Sequence, residues 1–326
     1  MNMPTRRLGR TGFQVSVLGV GGHTYPVGHA PDAFCTPDER ARLIRHLVDR
    51  GVNYFDTTWL NEVELLADSF RRAEIREPVH VSLQYVDGIS DANWRQKLRA
   101  ELESRLRVMG YDRAPLFIMG VGNHRPPTSE IAAASETMHA LKEEGVIGNI
   151  GVSCHDLEAF AKIADVIEAT DLLDYMMIRY NWKFRQAAER LSPAAQRHDI
   201  GVVVMKVFCW DCGPEHWDRR ISVFEPIQPE ERGSPTPALN AAQRSLLWCL
   251  QTAPCATTVP SLNALWEAEQ LLQAVEVETP NVETRDFAFY RDRLDNAEQL
   301  RLMAAQAESA AVRERALHLY ERTASA

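Results

Sequence analysis

Apolar and polar positions along this chain alternate in two rhythms. Short runs rich in Val, Ile and Leu, of the kind that fill a strand buried on both faces, occur at VSVLGVGG (15–22), VNYFDTT (52–58), VHVSLQY (79–85), APLFIMGVG (114–122), NIGVSC (149–154), DYMMIRYNW (174–182), GVVVMKVF (201–208) and ATTVP (256–260). Between them lie longer segments whose apolar residues recur every three or four positions, such as DERARLIRHLVDRG, NWRQKLRAELESRLRVMG and SEIAAASETMHALKEEG. These three end on Gly, the usual helix stop. The pattern predicts eight strands separated by amphipathic helices.

That alternation defines an α/β protein, and eight buried-looking strands favour a closed (β/α)8 TIM barrel over an open doubly wound sheet. The open sheet would need a Gly-rich nucleotide turn after its first strand, and VLGVGGHTYPVG does not have the spacing G-x-G-x-x-G. The barrel is expected to occupy residues 1–282. Residues 209–238, rich in Pro, Trp and charge, predict a long loop over the strand C-termini, the face where barrels keep their chemistry. Residues 283–326 predict charged helices, packed on the barrel or serving as an oligomer contact.

Composition narrows the function. The 326 residues are 45% hydrophobic and carry a net charge of -9, with pI near 5.6. An acidic surface does not displace counterions from nucleic acid, so no nucleic-acid partner is expected. No run of about 18 apolar residues occurs, so no membrane span is expected either. The picture is a cytoplasmic protein acting on a small molecule. Six cysteines in a chain this long are not a disulfide framework, and Cys209 and Cys212, though spaced Cys-x-x-Cys, have no second pair at zinc-like spacing.

The predicted strand ends carry the candidate chemistry. They place His23, Asp56, Gln84, His124, His155, Arg179, Asn181 and Lys206 around one face, with Trp59 and Trp210 as aromatic walls. Tyr85 follows Gln84 directly, and strand alternation turns it away from the lumen.

RRLGRTGFQVSVLGVGG, GVNYFDTT, LKEEGVIGNIGVSCHD, IRYNW and IGVVVMKVF, in that order, resemble successive signatures of the aldo-keto reductases over roughly residues 4 to 275. The resemblance implies a single barrel with its site at the strand C-termini. It also implies NADPH-dependent carbonyl reduction by an Asp–Tyr–Lys–His set whose Tyr supplies the proton. Carried onto this sequence, the Asp is Asp56. The Tyr falls at Asn61 (or Leu60), the Lys at Gln84 and the His at Gly120. Of the residues that hold the nicotinamide, Ser153 matches, whereas Cys154 and Met177 stand where Asn and Gln are expected. VPSLNALWEAEQLLQ, after strand eight, has no Arg or Lys to grip an adenosine phosphate.

These departures lead to an expectation of redox-neutral chemistry (a lyase, dehydratase or isomerase) with no cofactor. Asp56, His124 or His155 would be the general base, and Lys206 or Arg179 would stabilise negative charge. His23, Trp59, Asn61, Gln84, Tyr85, Arg179, Asn181 and Trp210 would line the substrate pocket. A metal variant would use His23, Asp56 and His155. The alternatives are an NADP(H)-dependent reductase with its proton donor relocated to His124 or Tyr85, and a non-catalytic relative that binds a ligand or partner.

Overall fold

The computed structural model describes residues 3–22, 36–86, 89, 92–121, 128–155, 157–181, 185, 191–208, 239–251, 254–262 and 264–276. The predicted loop 209–238 and C-terminal extension 283–326 lie outside the described residues, as do His23, His124, Cys209, Trp210 and Cys212.

The chain opens with an antiparallel hairpin, β1 (Thr5–Arg7) and β2 (Gln14–Ser16), in which Thr5 faces Ser16. Seven parallel strands follow, hydrogen-bonded in sequence order: β3 (Tyr54–Asp56), β4 (His80–Tyr85), β5 (Ala114–Gly120), β6 (Ile147–Cys154), β7 (Tyr175–Arg179), β8 (Gly201–Met205) and β9 (Cys255–Thr258). The helices are α1 (Pro37–Asp49), α2 (Leu60–Arg72), α3 (Trp94–Met109), α4 (Thr128–Glu143), α5 (Leu157–Ala169), α6 (Ser192–Arg197), α7 (Ala241–Gln251) and α8 (Leu265–Glu276). Their ends follow local chemistry. At α1, Thr36 and Glu39 form a reciprocal capping box, and α3 stops on left-handed Gly110.

Residues 17–21 close the ring between β9 and β3. The Gly19 amide donates to the Thr258 carbonyl (2.8 Å) and the Val20 amide to the Tyr54 carbonyl (2.9 Å), while the Asp56 amide donates back to the Val20 carbonyl (2.8 Å). Leu18 and Val20 thereby bridge Thr258 and Phe55 in parallel register. The result is the expected (β/α)8 barrel.

Strand alternation then sorts the core. Phe55, Val81, Leu83, Tyr85, Phe117, Val152, Cys154, Met176 and Val204 belong to the cluster shared with the helices. Tyr54, Leu116, Ile118, Tyr175, Met177, Val203 and Met205 form a separate cluster that fills the lumen, with Leu8 and Val15 of the hairpin joining it. Gly151 makes room for one lumenal ring, since a Cβ there would lie 2.6 Å from Tyr175 Cζ.

The expected first strand, 15–22, is thus two structures. Its start belongs to a hairpin that plugs the barrel, and the rest is the ring-closing segment. The plug is fastened by Arg6, whose Nη1 donates to the Cys255 carbonyl (2.7 Å), and by Arg7, which forms a forked pair with Asp199 (2.6 Å to each oxygen).

Candidate active site

Asp56 ends β3 in the lumen, beside Tyr54 on the same face. Thr57 ties the following turn to β4, donating from both its amide (3.0 Å) and its hydroxyl (2.8 Å) to the Ser82 carbonyl. This anchoring fixes the direction in which the Asp56 carboxyl points. Gln84, two residues along β4 from Ser82, donates from Nε2 to Asp56 Oδ1 at 2.7 Å. The amides of Gly22 and Thr57 also donate to it. Even so, burial, with a smaller push from the nearby Glu62 carboxyl, raises the Asp56 pKa to about 7 against the lowering effect of those donors.

Glu62 is the functional candidate that sequence reasoning missed. It occupies the third position of α2, whose N-cap is Trp59, and it is fully buried. Its Oε2 accepts from the Thr58 amide (2.5 Å), and the Trp59 amide donates to it as well. This is half of a capping box: the acid at the third position reaches back while the N-cap contributes no side-chain bond. Trp at the N-cap hid the motif, because a capping box is recognised by Ser or Thr there. Burial lifts the Glu62 pKa to about 7, partly offset by the Thr58 and Trp59 donors and by the positive charge of Lys206. Gly22 separates the two acids. Its amide donates to Asp56, and a Cβ on it would lie 2.2 Å from Glu62 Oε2.

The opposite side of the mouth is cationic. Arg179 is the last residue of β7, on the face of lumenal Tyr175 and Met177, and Lys206 directly follows the neighbouring β8. Lys206 has a left-handed backbone (φ 60°), which buried Asn181 supports by donating from Nδ2 to the Lys206 carbonyl at 2.9 Å. Ser153 near the end of β6 and half-buried His155 just after it lie between the two sides; Ser153 is in register with Met177.

The structure therefore brings Asp56, Gln84, Glu62 and Lys206 into one electrostatic neighbourhood, with Arg179, Ser153 and His155 on adjoining strand ends. Trp59 and Asn61, both half-buried, start the helix beside Asp56. Two expected pocket residues change role. Tyr85 is buried in the helix-facing cluster and does not reach the lumen, as pleat geometry requires of a residue next to lumenal Gln84. Fully buried Asn181 supports the Lys206 backbone. Gln84 holds Asp56 in place. His23, His124 and Trp210 lie outside the described residues, so that of the expected metal set only Asp56 and His155 are described.

A closed parallel barrel with its ionisable side chains gathered at the strand C-termini defines the class of TIM-barrel enzymes. The model of the Aldo/keto reductase family matches residues 17–209, from the ring-closing segment to the residues after β8, and the chain belongs to this family. Two solved structures share the fold. One is an aldo-keto reductase from Bacillus halodurans in its holo form, 19% identical, with a TM-score of 0.63, covering 95% of this chain and 98% of that one. The other is a Pseudomonas aeruginosa protein assigned to the aldo-keto reductases, 22% identical, with a TM-score of 0.60, covering 83% of this chain and 95% of that one.

Proposed function

We propose that this protein is an enzyme that moves protons on a small molecule without net oxidation or reduction, as a lyase, dehydratase or isomerase does. The carrying observation is the pair of buried carboxyls, Asp56 and Glu62, flanking Gly22, both with pKa raised by burial to about 7. A general acid or base works best when its pKa lies near the working pH. Two coupled carboxyls in that range share protons, so one can be ionised while the other stays protonated. Lys206, whose charge acts on Glu62, can stabilise an anionic intermediate above them.

The lumenal side chains also support a reading without NADP(H), the cofactor that the family resemblance implies. Gly120 brings no side chain where the resemblance puts a His. Gln84, at the Lys position, is engaged by Asp56 and has its Nε2 3.7 Å from the Met177 thioether. Cys154, where an Asn would hold the nicotinamide carboxamide, is buried toward the helices. The described turn after β9 and the helix α8 contain no Lys or Arg. These residues do not fit the cofactor.

One observation favours the second reading, a reductase with a relocated proton donor. A carboxyl that holds its proton near pH 7 could protonate an alkoxide in place of the family's tyrosine. Titration with NADPH and NADH separates the two. Unchanged tryptophan fluorescence and melting temperature at millimolar cofactor are expected, and saturable quenching would establish the reductase instead. Among the described residues no helix is long and apolar enough to cross a membrane. A cytoplasmic setting and a small-molecule partner complete the proposal, with residues 283–326 either packing on the barrel or serving as an oligomer contact.

A further inference from the structure

The mouth of the barrel is electrically divided, and the division points to a ligand class. We propose that the site binds a small molecule carrying a carboxylate or phosphate group, and that Arg179 and Lys206 together hold that group opposite Asp56 and Glu62. The inference rests on the preceding reading only for what happens at the acid side; the anion anchor itself needs no turnover.

Arg179 and Lys206 issue from neighbouring strands. Arg179 is in register with Met205, the residue before Lys206, and the Tyr180 amide donates to the Met205 carbonyl (3.3 Å). The two cations therefore leave adjacent strand ends at about the same height. Lys206 also holds a left-handed backbone, which costs a residue with a Cβ about 1–2 kcal/mol relative to Gly. A turn needing only that backbone would be satisfied by glycine. Here the residue is a lysine, with a buried amide, Asn181, on its carbonyl. Its positive charge also acts on Glu62, which puts Lys206 within electrostatic range of the acid side. A planar guanidinium beside an ammonium point charge is a donor arrangement suited to an oxyanion. The acids across the mouth do not cancel it fully, because burial keeps them partly protonated at neutral pH.

Malonate and inorganic phosphate, titrated calorimetrically into the full-length protein at pH 7 and low salt, test the anchor. Sodium chloride at matched ionic strength is the control. Saturable binding of at least one anion is expected. Arg179→Gln and Lys206→Gln should each weaken it about ten-fold or more, while Asp56→Asn should leave it equal or stronger. Circular dichroism and melting curves confirm that each variant is folded. Preference for phosphate or for malonate would identify the group within the same proposal. Absence of saturable binding by either anion, or equal affinity in either cation variant, would overturn it. NADPH binding would instead sink the redox-neutral reading and leave the anchor standing.

Discussion

Asp56 accepts hydrogen bonds from Gly22, Thr57 and Gln84, yet burial still lifts its pKa from 3.8 to about 7. The native state therefore holds a proton between pH 4 and 7 that the unfolded chain has released. Stability must fall as pH rises through that window and level off above it. Asp56→Asn cannot ionise, so its melting temperature relative to wild type should rise from pH 5 to pH 8. A tenfold difference in proton affinity between folded and unfolded chains is worth about 1.4 kcal/mol, so the relative gain should reach about 1 kcal/mol or more. A difference independent of pH would contradict the raised pKa. Gly22 gives a steric test of the same pair. A Cβ 2.2 Å from Glu62 Oε2 has to displace a buried carboxyl, and Gly22→Ala should cost about 1–3 kcal/mol in denaturant unfolding. Tyr54 offers the opposite sign. Its hydroxyl is buried near Ser82 but meets no partner at hydrogen-bonding geometry among the described residues. Tyr54→Phe removes that poorly satisfied group and should change stability by less than about 1 kcal/mol, in the stabilising direction.

At the scale of elements, β3 to β9 were legible because strands buried on both faces are written as continuous apolar runs, and each of these lies within or overlaps a predicted one. The hairpin was not legible. TRRLGRTGFQVS is too charged to read as buried strand, and only its plugging of the barrel brings Leu8 and Val15 inside. Leu8 is fully buried, lying against the position a Gly201 Cβ would take. Leu8→Ala should therefore cost about 2–5 kcal/mol, measured by chemical denaturation, although the residue touches no candidate catalytic group. Asp56, Gln84 and Lys206 could be picked out as polar interruptions at strand ends. Glu62 could not, because inside LNEVELLADSF a helical acid looks solvated, and only the closeness of α2 to Gly22 buries it. At the β8 end, Lys206→Gly should raise the melting temperature by relieving the left-handed strain, while removing the anion affinity expected of the wild type. Stability and function are opposed at that residue.

Across the whole molecule, the family match ends at residue 209, while the strand that completes the ring, β9, begins at Cys255. The barrel thus needs a part of the chain beyond the matched segment. Its junction joins Leu18 to Thr258 and Val20 to Phe55, and the carbonyl that receives the Asp56 amide belongs to Val20. Closing the ring and setting Asp56 consequently draw on the same segment, residues 17–21. A ribosome builds the barrel from its N-terminal side, and the residues that support Asp56 leave the tunnel early, but the partner of their segment at 258 emerges only after the other strands of the barrel. Until then residues 17–21 pair only with β3, and the wall around the acid stays open on the β9 side. The nascent chain should therefore acquire its protonated carboxyl pair late, as a property of the finished circle.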